Sequence, residues 1–242
     1  MSYPENFTSE ELLEHKVGEL VAKNYKTADV FKSYGIDFCC GGKISIREAC
    51  EKKGVDQQEL AATLADLWSS AQPSGDRYNE WSIELLIDYI INQHHVYVQQ
   101  TLPPVFGYMK KVARVHGERH PELVEMYSLF SELQSELMAH LEFEEQQLFP
   151  FIKSLNNHSD GISVKQNAEM IRELTQMEDE HDHAGTIMKK LRELSNGFNP
   201  PAEACTTYRV LFQHLEAFEA DLHKHVHLEN NILQPKAMAL LN

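Results

Sequence analysis

Four stretches of this chain, roughly 82–117, 121–155, 163–195 and 202–241, place apolar residues at alternating steps of three and four. That rhythm matches the 3.6-residue turn of an α-helix and gives each stretch one apolar stripe. In the fourth, the stripe runs Leu211, Leu215, Phe218, Leu222, His225, Glu229 and Ile232. The second reads Phe130, Leu133, Leu137, His140, Glu144 and Leu148, and the third Met170, Leu174, Met177, His181, Ala184, Met188 and Leu191. The first fits Ile87, Ile91, His95, Val98 and Leu102, although Pro103 and Pro104 should kink or break that helix. Turn signals at Gly117, at Asn156 to Gly161 and at Asn196-Gly197 separate the stretches. Four helices with short connections predict an all-α, up-down-up-down four-helix bundle.

The polar members of those stripes are the unusual feature. Two copies of one phrase, H-x-x-x-E-x-x-x-L-x-P, run from His140 to Pro150 and from His225 to Pro235. Four residues is slightly more than one turn, so each His and Glu share a helix face. One histidine precedes each phrase at nearly the same distance, His95 before His140 and His181 before His225. All six side chains occupy core phase, where an uncompensated charge costs several kcal/mol. A pair of cations supplies the compensation, and four histidines with two carboxylates predict a dinuclear metal site. In the first helix His94 fits the phase as well as His95, and the spacing to the phrase slightly favours His95.

Imidazole and bridging carboxylate without thiolate suit iron or manganese, with zinc compatible. Six side chains cannot saturate two octahedral ions even when both glutamates bridge, so open positions and a reactive site are expected. Glu136, one turn before His140, and Glu180, beside His181, are candidates to orient the ligands, set against a plain solvated face. Other histidines read as ordinary. His15 with Glu19 belongs on a solvated face, and His116 and His120 flank a loop at Gly117 and Pro121. His183, His223 and His227 fall off the stripe, which assigns them to the surface.

The polar stretch 71–76 divides the chain into a small helical N-terminal domain at 1–72, a linker at 73–80 and the bundle at 81–242. Thr8-x-x-Glu11 opens a helix to about Asn24, Ser45-x-x-Glu48 a second stopped by Gly54, and Asp56-x-x-Glu59 a third to Trp68. Gly35-Ile36-Asp37-Phe38-Cys39-Cys40-Gly41-Gly42 forms a tight loop between them. Cys39 and Cys40 are adjacent, Cys50 reads as helix filler, and Cys205 begins the fourth bundle helix. None makes C-x-x-C, and four cysteines in 242 residues are no disulfide framework, which favours a reducing cytoplasm. A formal charge of −15 with no basic run argues against nucleic acid and anionic membranes as partners. Residues 1–16 hold no apolar leader core, and no stretch reaches the length of a membrane span, so the sequence predicts neither secretion nor insertion.

At these residues the C-terminal region resembles a hemerythrin-like domain. Nearly the whole chain resembles the repair-of-iron-centres family (YtfE/ScdA type). The resemblance rests on the Gly35–Gly42 loop, Ser45-x-x-Glu48-Ala49-Cys50 and Glu180-His181-Asp182. It extends to Pro201-x-Glu203-Ala204-Cys205-Thr206-Thr207 and His225-x-x-Leu228-Glu229-Asn230-Asn231. It implies two iron ions in a non-haem, oxo- and carboxylate-bridged di-iron centre. The implied ligands are His95, His140, Glu144, His181, His225 and Glu229, with Glu144 and Glu229 bridging, and the resemblance takes His95 over His94. It also implies repair of iron-sulfur clusters damaged by nitric oxide or oxidants, with the damaged proteins as clients. One departure is visible: Gln234 stands where the first phrase has Phe149 and the family has an aromatic residue, which bears on local packing and on no ligand.

An oxygen carrier of the hemerythrin type fits less well, because Gly185 and Asn230 stand where it needs a further His and an Asp. A ferritin-like oxidase needs two E-x-x-H motifs, and only Glu178-x-x-His181 is present. A di-iron nitric oxide reductase or scavenger remains the alternative to a repair protein that is not an enzyme. Adjacent cysteines do not readily share a disulfide. Cys39 and Cys40 could instead bind a metal or an iron–nitrosyl, take part in redox or transfer chemistry, or bridge a homodimer; the plain alternative is a packed turn.

Overall fold

The computed structural model describes residues 9–70, 77–157 and 164–241. Thr8 of the first capping box, residues 73–76 of the expected linker and the turn residues 158–161 lie outside them, while linker residues Tyr78–Glu80 form a short helical turn. Among the described residues the chain is helical, with no strand beyond an isolated Lys16–Ser45 bridge. It divides into two compact units, Met1–Ser82 with Val226–Lys236, and Ile83–His225 with Ala237–Asn242.

The first unit holds α1 (Ser9–Glu14), α2 (Val17–Lys23), α3 (Thr27–Ser33), α4 (Ile46–Lys53) and α5 (Gln57–Ser70). The caps behave as their residue types require. Ser45 Oγ accepts from the Glu48 N–H at 3.1 Å, and α4 ends at Gly54, whose φ of 67° suits glycine. Asp56 Oδ1 accepts from the Gln58 and Glu59 N–H groups at 2.8 and 2.9 Å. The single helix expected from Thr8 to Asn24 is instead two, α1 and α2. The break follows from competition for backbone groups. Val17 N–H donates to Ile44 O, Gly18 N–H to Gly42 O, and Ile46 N–H to His15 O, so residues 15–18 pair with the loop before α4. Leu12, Val17, Leu20, Phe31, Ile46, Leu60 and Leu64 form the buried core.

The second unit is the helix bundle. Its helices are α6 (Ile83–Tyr89) running into α7 (Val96–His116), α8 (Glu122–Phe143) into α9 (Phe149–Asn157), α10 (Val164–Leu194), and α11 (Thr206–Leu228) as far as His225; the chain then continues through Val226–Lys236 of the first unit into α12 (Gln234–Ala239). α8 packs on α7 and α10. α11 closes the core through Phe218 against Phe130, with ring centroids 6.3 Å apart. The expected break at Pro103-Pro104 does not occur, since α7 runs through both. Val98 and Leu102 before them, and Val105, Met109 and Val112 after, are all buried, so packing on both sides outweighs the lost backbone bond.

Three of these helices widen into a π-turn, at Ile90–His95, Glu144–Leu148 and Glu229–Leu233. There the Val96, Phe149 and Gln234 N–H groups donate five residues back, to Ile91, Glu144 and Glu229. Two have a local cause. Pro150 and Pro235 lack the N–H that would bond four residues back, and their rings crowd that carbonyl. The Leu-x-Pro tail of the repeated phrase thus opens each helix just beyond its glutamate. No proline adjoins the first π-turn, yet it turns both His94 and His95 into the core.

Candidate metal centre

His95, His140, Glu144, His181 and His225 are buried at one level of the bundle, and Glu229 follows His225 by one turn of the same continuous helix. Glu144 Oε2 stands 3.3 Å from His95 Nε2 and 3.5 Å from His140 Nε2. His140 Nε2 faces His181 Nε2 at 2.9 Å, and the ring of His95 lies 4.9 Å from that of His225. Two groups of four have ligand atoms near enough to share a cation: His95, Glu144, His225 and Glu229, and His140, Glu144, His181 and Glu229. Both carboxylates belong to both groups. Glu144 Oε2 is buried and accepts no hydrogen bond, and such an oxygen among imidazole nitrogens is costly unless a cation compensates it. The donor set therefore suits metal binding.

The outer nitrogens of two imidazoles are held by carboxylates. His95 Nδ1–H donates to Glu145 Oε1 at 2.9 Å, and His140 Nδ1–H to Glu180 Oε2 at 2.8 Å. A proton fixed on Nδ1 leaves the Nε2 lone pair facing inward, the tautomer a metal requires. The hydrogen bond from His140 holds the Glu180 carboxyl below its ordinary range, which keeps it an acceptor. Glu180 adjoins His181 in sequence but orients His140 on the neighbouring helix. Glu136 does not serve His140; with Glu132 it pairs with exposed His183, at 3.3 and 3.1 Å. Glu145 is missed by stripe reasoning, because it lies one position off phase. The signal that finds it is the doubled acid of His140-x-x-x-Glu144-Glu145.

His94 is buried beside the site but belongs to neither group. Its Nδ1 lies 3.0 Å from Asp221 Oδ1, and its ring stacks on His225 at 5.6 Å with planes 5° apart. The surface position expected for His227 is wrong. His227 is fully buried, with the rings of Tyr25 and Phe38 at 5.7 and 5.8 Å, because its helix segment packs within the first compact unit. His116 is the last residue of α7, with Nε2 3.3 Å from Cys205 Sγ. His120 lies in the following turn, 3.0 Å from Glu122. A cleft of about 500 Å³ opens between α8 and α10, lined by Leu137, His140, Phe143, His181 and Ala184.

The first unit holds Cys39 and Cys40, buried and half-buried. Asp37 Oδ1 accepts from both their N–H groups, at 2.9 and 3.1 Å, and from the Cys39 thiol at 3.2 Å. The Cys40 contact, burial and the Asp37 charge all push the Cys39 thiol well up, so it is protonated at neutral pH. No helix among the described residues is long and apolar enough to cross a membrane.

Comparison with known proteins agrees with this layout. Residues 13–68 match the family described as "Domain of Unknown function (DUF542)", and residues 86–237 match the "Hemerythrin HHE cation binding domain". The iron-sulfur cluster repair protein ScdA of Staphylococcus haemolyticus is 35% identical over 90% of this chain and 95% of its own length. A probable iron-sulfur cluster repair protein of Haemophilus influenzae is 32% identical over 93% and 97%. The iron-sulfur cluster repair protein YtfE of Pectobacterium atrosepticum is 35% identical over 93% and 97%. The chain therefore belongs to the ScdA/YtfE family of iron-sulfur cluster repair proteins, with a hemerythrin HHE cation-binding domain as its larger part.

Proposed function

We propose that this chain is a non-haem di-iron protein that restores iron-sulfur clusters damaged by nitric oxide or oxidants. The observation that carries the reading is the buried Glu144 Oε2, within 3.5 Å of imidazole nitrogens from both four-residue groups. His95 and His225 would hold one ion and His140 and His181 the other, with Glu144 and Glu229 shared. When bound, iron supplies a redox-active Lewis acid with positions open to small ligands. Glu145 and Glu180 keep two imidazoles in the metal-binding tautomer. Imidazole and carboxylate hold ferrous iron less tightly than later divalent metals, which favours iron exchange with a client. The acidic surface and the names of the relatives support damaged iron-sulfur proteins as clients in the cytoplasm, and the exposed edge of the Cys39-Cys40 loop is the candidate homodimer contact.

The cleft beside His140 and His181 supports a second reading, a di-iron nitric oxide reductase, since it leads a small molecule to the site. One assay separates the two. The iron-loaded protein is mixed with a nitric-oxide-damaged cluster enzyme, and client activity and labelled iron are followed. Recovery with label in the client is expected. Nitric oxide consumption without recovery refutes repair and supports the reductase. In parallel, His140→Ala and His225→Ala should lower iron content, and two irons retained in either variant refute the ligand set.

A further inference from the structure

Asp37, Cys39 and Cys40 cluster in the first unit, apart in sequence from the bundle histidines. We propose that Asp37, Cys39 and Cys40 bind one thiophilic divalent cation of the zinc or cadmium class, independently of the bundle. Their ligand atoms lie within 4.8 Å of one another. The two sulfurs, in thiol–thiol contact in the free loop, already stand at the spacing that chelation requires. Two thiolates at about 2.3 Å from a tetrahedral zinc stand about 3.8 Å apart, and Cys39 Sγ and Cys40 Sγ are 3.8 Å apart. Both thiols are free, so both sulfurs are available as ligands. Asp37 Oδ1 accepts the Cys39 thiol at 3.2 Å in the free loop, and loss of that proton on metal binding releases the carboxylate as the third ligand.

The loop is fixed from several directions before any cation arrives. Asn231 Nδ2 donates to Phe38 O at 3.3 Å and Cys39 O at 3.2 Å. Gly18 N–H donates to Gly42 O at 2.8 Å. At Gly42 a Cβ would stand 2.5 Å from Phe38 O and 2.9 Å from Gly18 Cα, so only glycine permits this approach. Little ordering remains to be done on binding. Cys39 is buried and Cys40 half-exposed, which leaves the solvent side for a fourth ligand. The chemistry is coordination without electron transfer: each thiol loses a proton to solvent, two sulfur–metal bonds form, and no group is oxidised. The raised Cys39 thiol is a poor nucleophile in the free loop, and the cation, by replacing its proton, is what yields thiolate there.

The test titrates cadmium into the full-length, iron-loaded protein carrying Cys205→Ser, which removes the exposed thiol. Thiolate-to-cadmium absorption in the ultraviolet reports sulfur ligation, and a pH indicator counts protons. One equivalent with a thiolate band and about two protons released is expected. Cys39→Ser and Cys40→Ser should each weaken binding more than about tenfold, and Asp37→Asn about tenfold. Circular dichroism confirms that each variant is folded, and Asp37→Asn keeps both thiols should either serine variant unfold. No thiolate band, or a band unchanged in the Cys39→Ser/Cys40→Ser double variant, overturns the proposal. Because only thiolates give the band, failure of the di-iron reading leaves this result unaffected.

Discussion

Replacing Glu145 or Glu180 by glutamine removes one negative charge from behind an imidazole of the proposed metal centre and leaves the shape intact. The amide oxygen can still accept from Nδ1–H, so the change isolates the charge. A partner of this kind is worth about 10- to 100-fold in metal affinity, or about 1.4–2.7 kcal/mol. The structure ranks the two. The Glu145 side chain is 32% exposed and holds a fully buried His95, whereas that of Glu180 is 41% exposed. Solvent weakens the more exposed pair more, so Glu145→Gln should fall toward the upper end of the range and Glu180→Gln toward the lower. Competition against a ferrous chelator under anaerobic conditions measures both, with Glu132→Gln as control because Glu132 pairs with surface His183. Affinities within about twofold of the unsubstituted protein, or a control loss as large, refute the orienting role.

Arg192 makes a bidentate contact with nearly buried Glu219, through Nε at 2.7 and 2.9 Å and Nη2 at 2.5 Å. Arg192→Met strands that carboxylate and should cost about 3–5 kcal/mol in denaturant unfolding, while adding Glu219→Leu recovers most of it. Gly42→Ala meets backbone rather than flexible side chain, so it should destabilise the first unit by about 1–3 kcal/mol, read as lost hydrogen-exchange protection in α2 and α4. Burial pushes the Tyr208 phenol from 10.0 up to about 12. Its folded value exceeds the unfolded one, so its stabilising effect is complete below pH 10.0 and lost as pH climbs toward 12. Melting temperature should fall across that window, and Tyr208→Phe should flatten the fall.

The sequence by itself determined the helices and the phase of the site. Steps of three and four put His95, His140, Glu144, His181, His225 and Glu229 on core stripes, and all six are buried. The caps at Ser45 and Gly54 were legible because they act between residues a few positions apart. The proline tails carried the π-turns in the same local way, although stripe reasoning assumes a uniform helix and does not foresee them. Tertiary structure decided the rest. Glu145 and Glu180 orient imidazoles on other helices, and no periodicity within one helix encodes which carboxylate meets which ring. His227 looked like surface because its phase faces away from the bundle; the rings of Tyr25 and Phe38, distant in sequence, bury it. The capping box at Thr8 promised one helix, yet loop residues 42–46 claim the backbone of residues 15–18 and divide it. Local hydrogen bonds and amphipathic period act over one or two turns and can be read along the chain. Which partner a surface meets depends on long-range packing, where many weak contacts outweigh a local preference of about 1 kcal/mol.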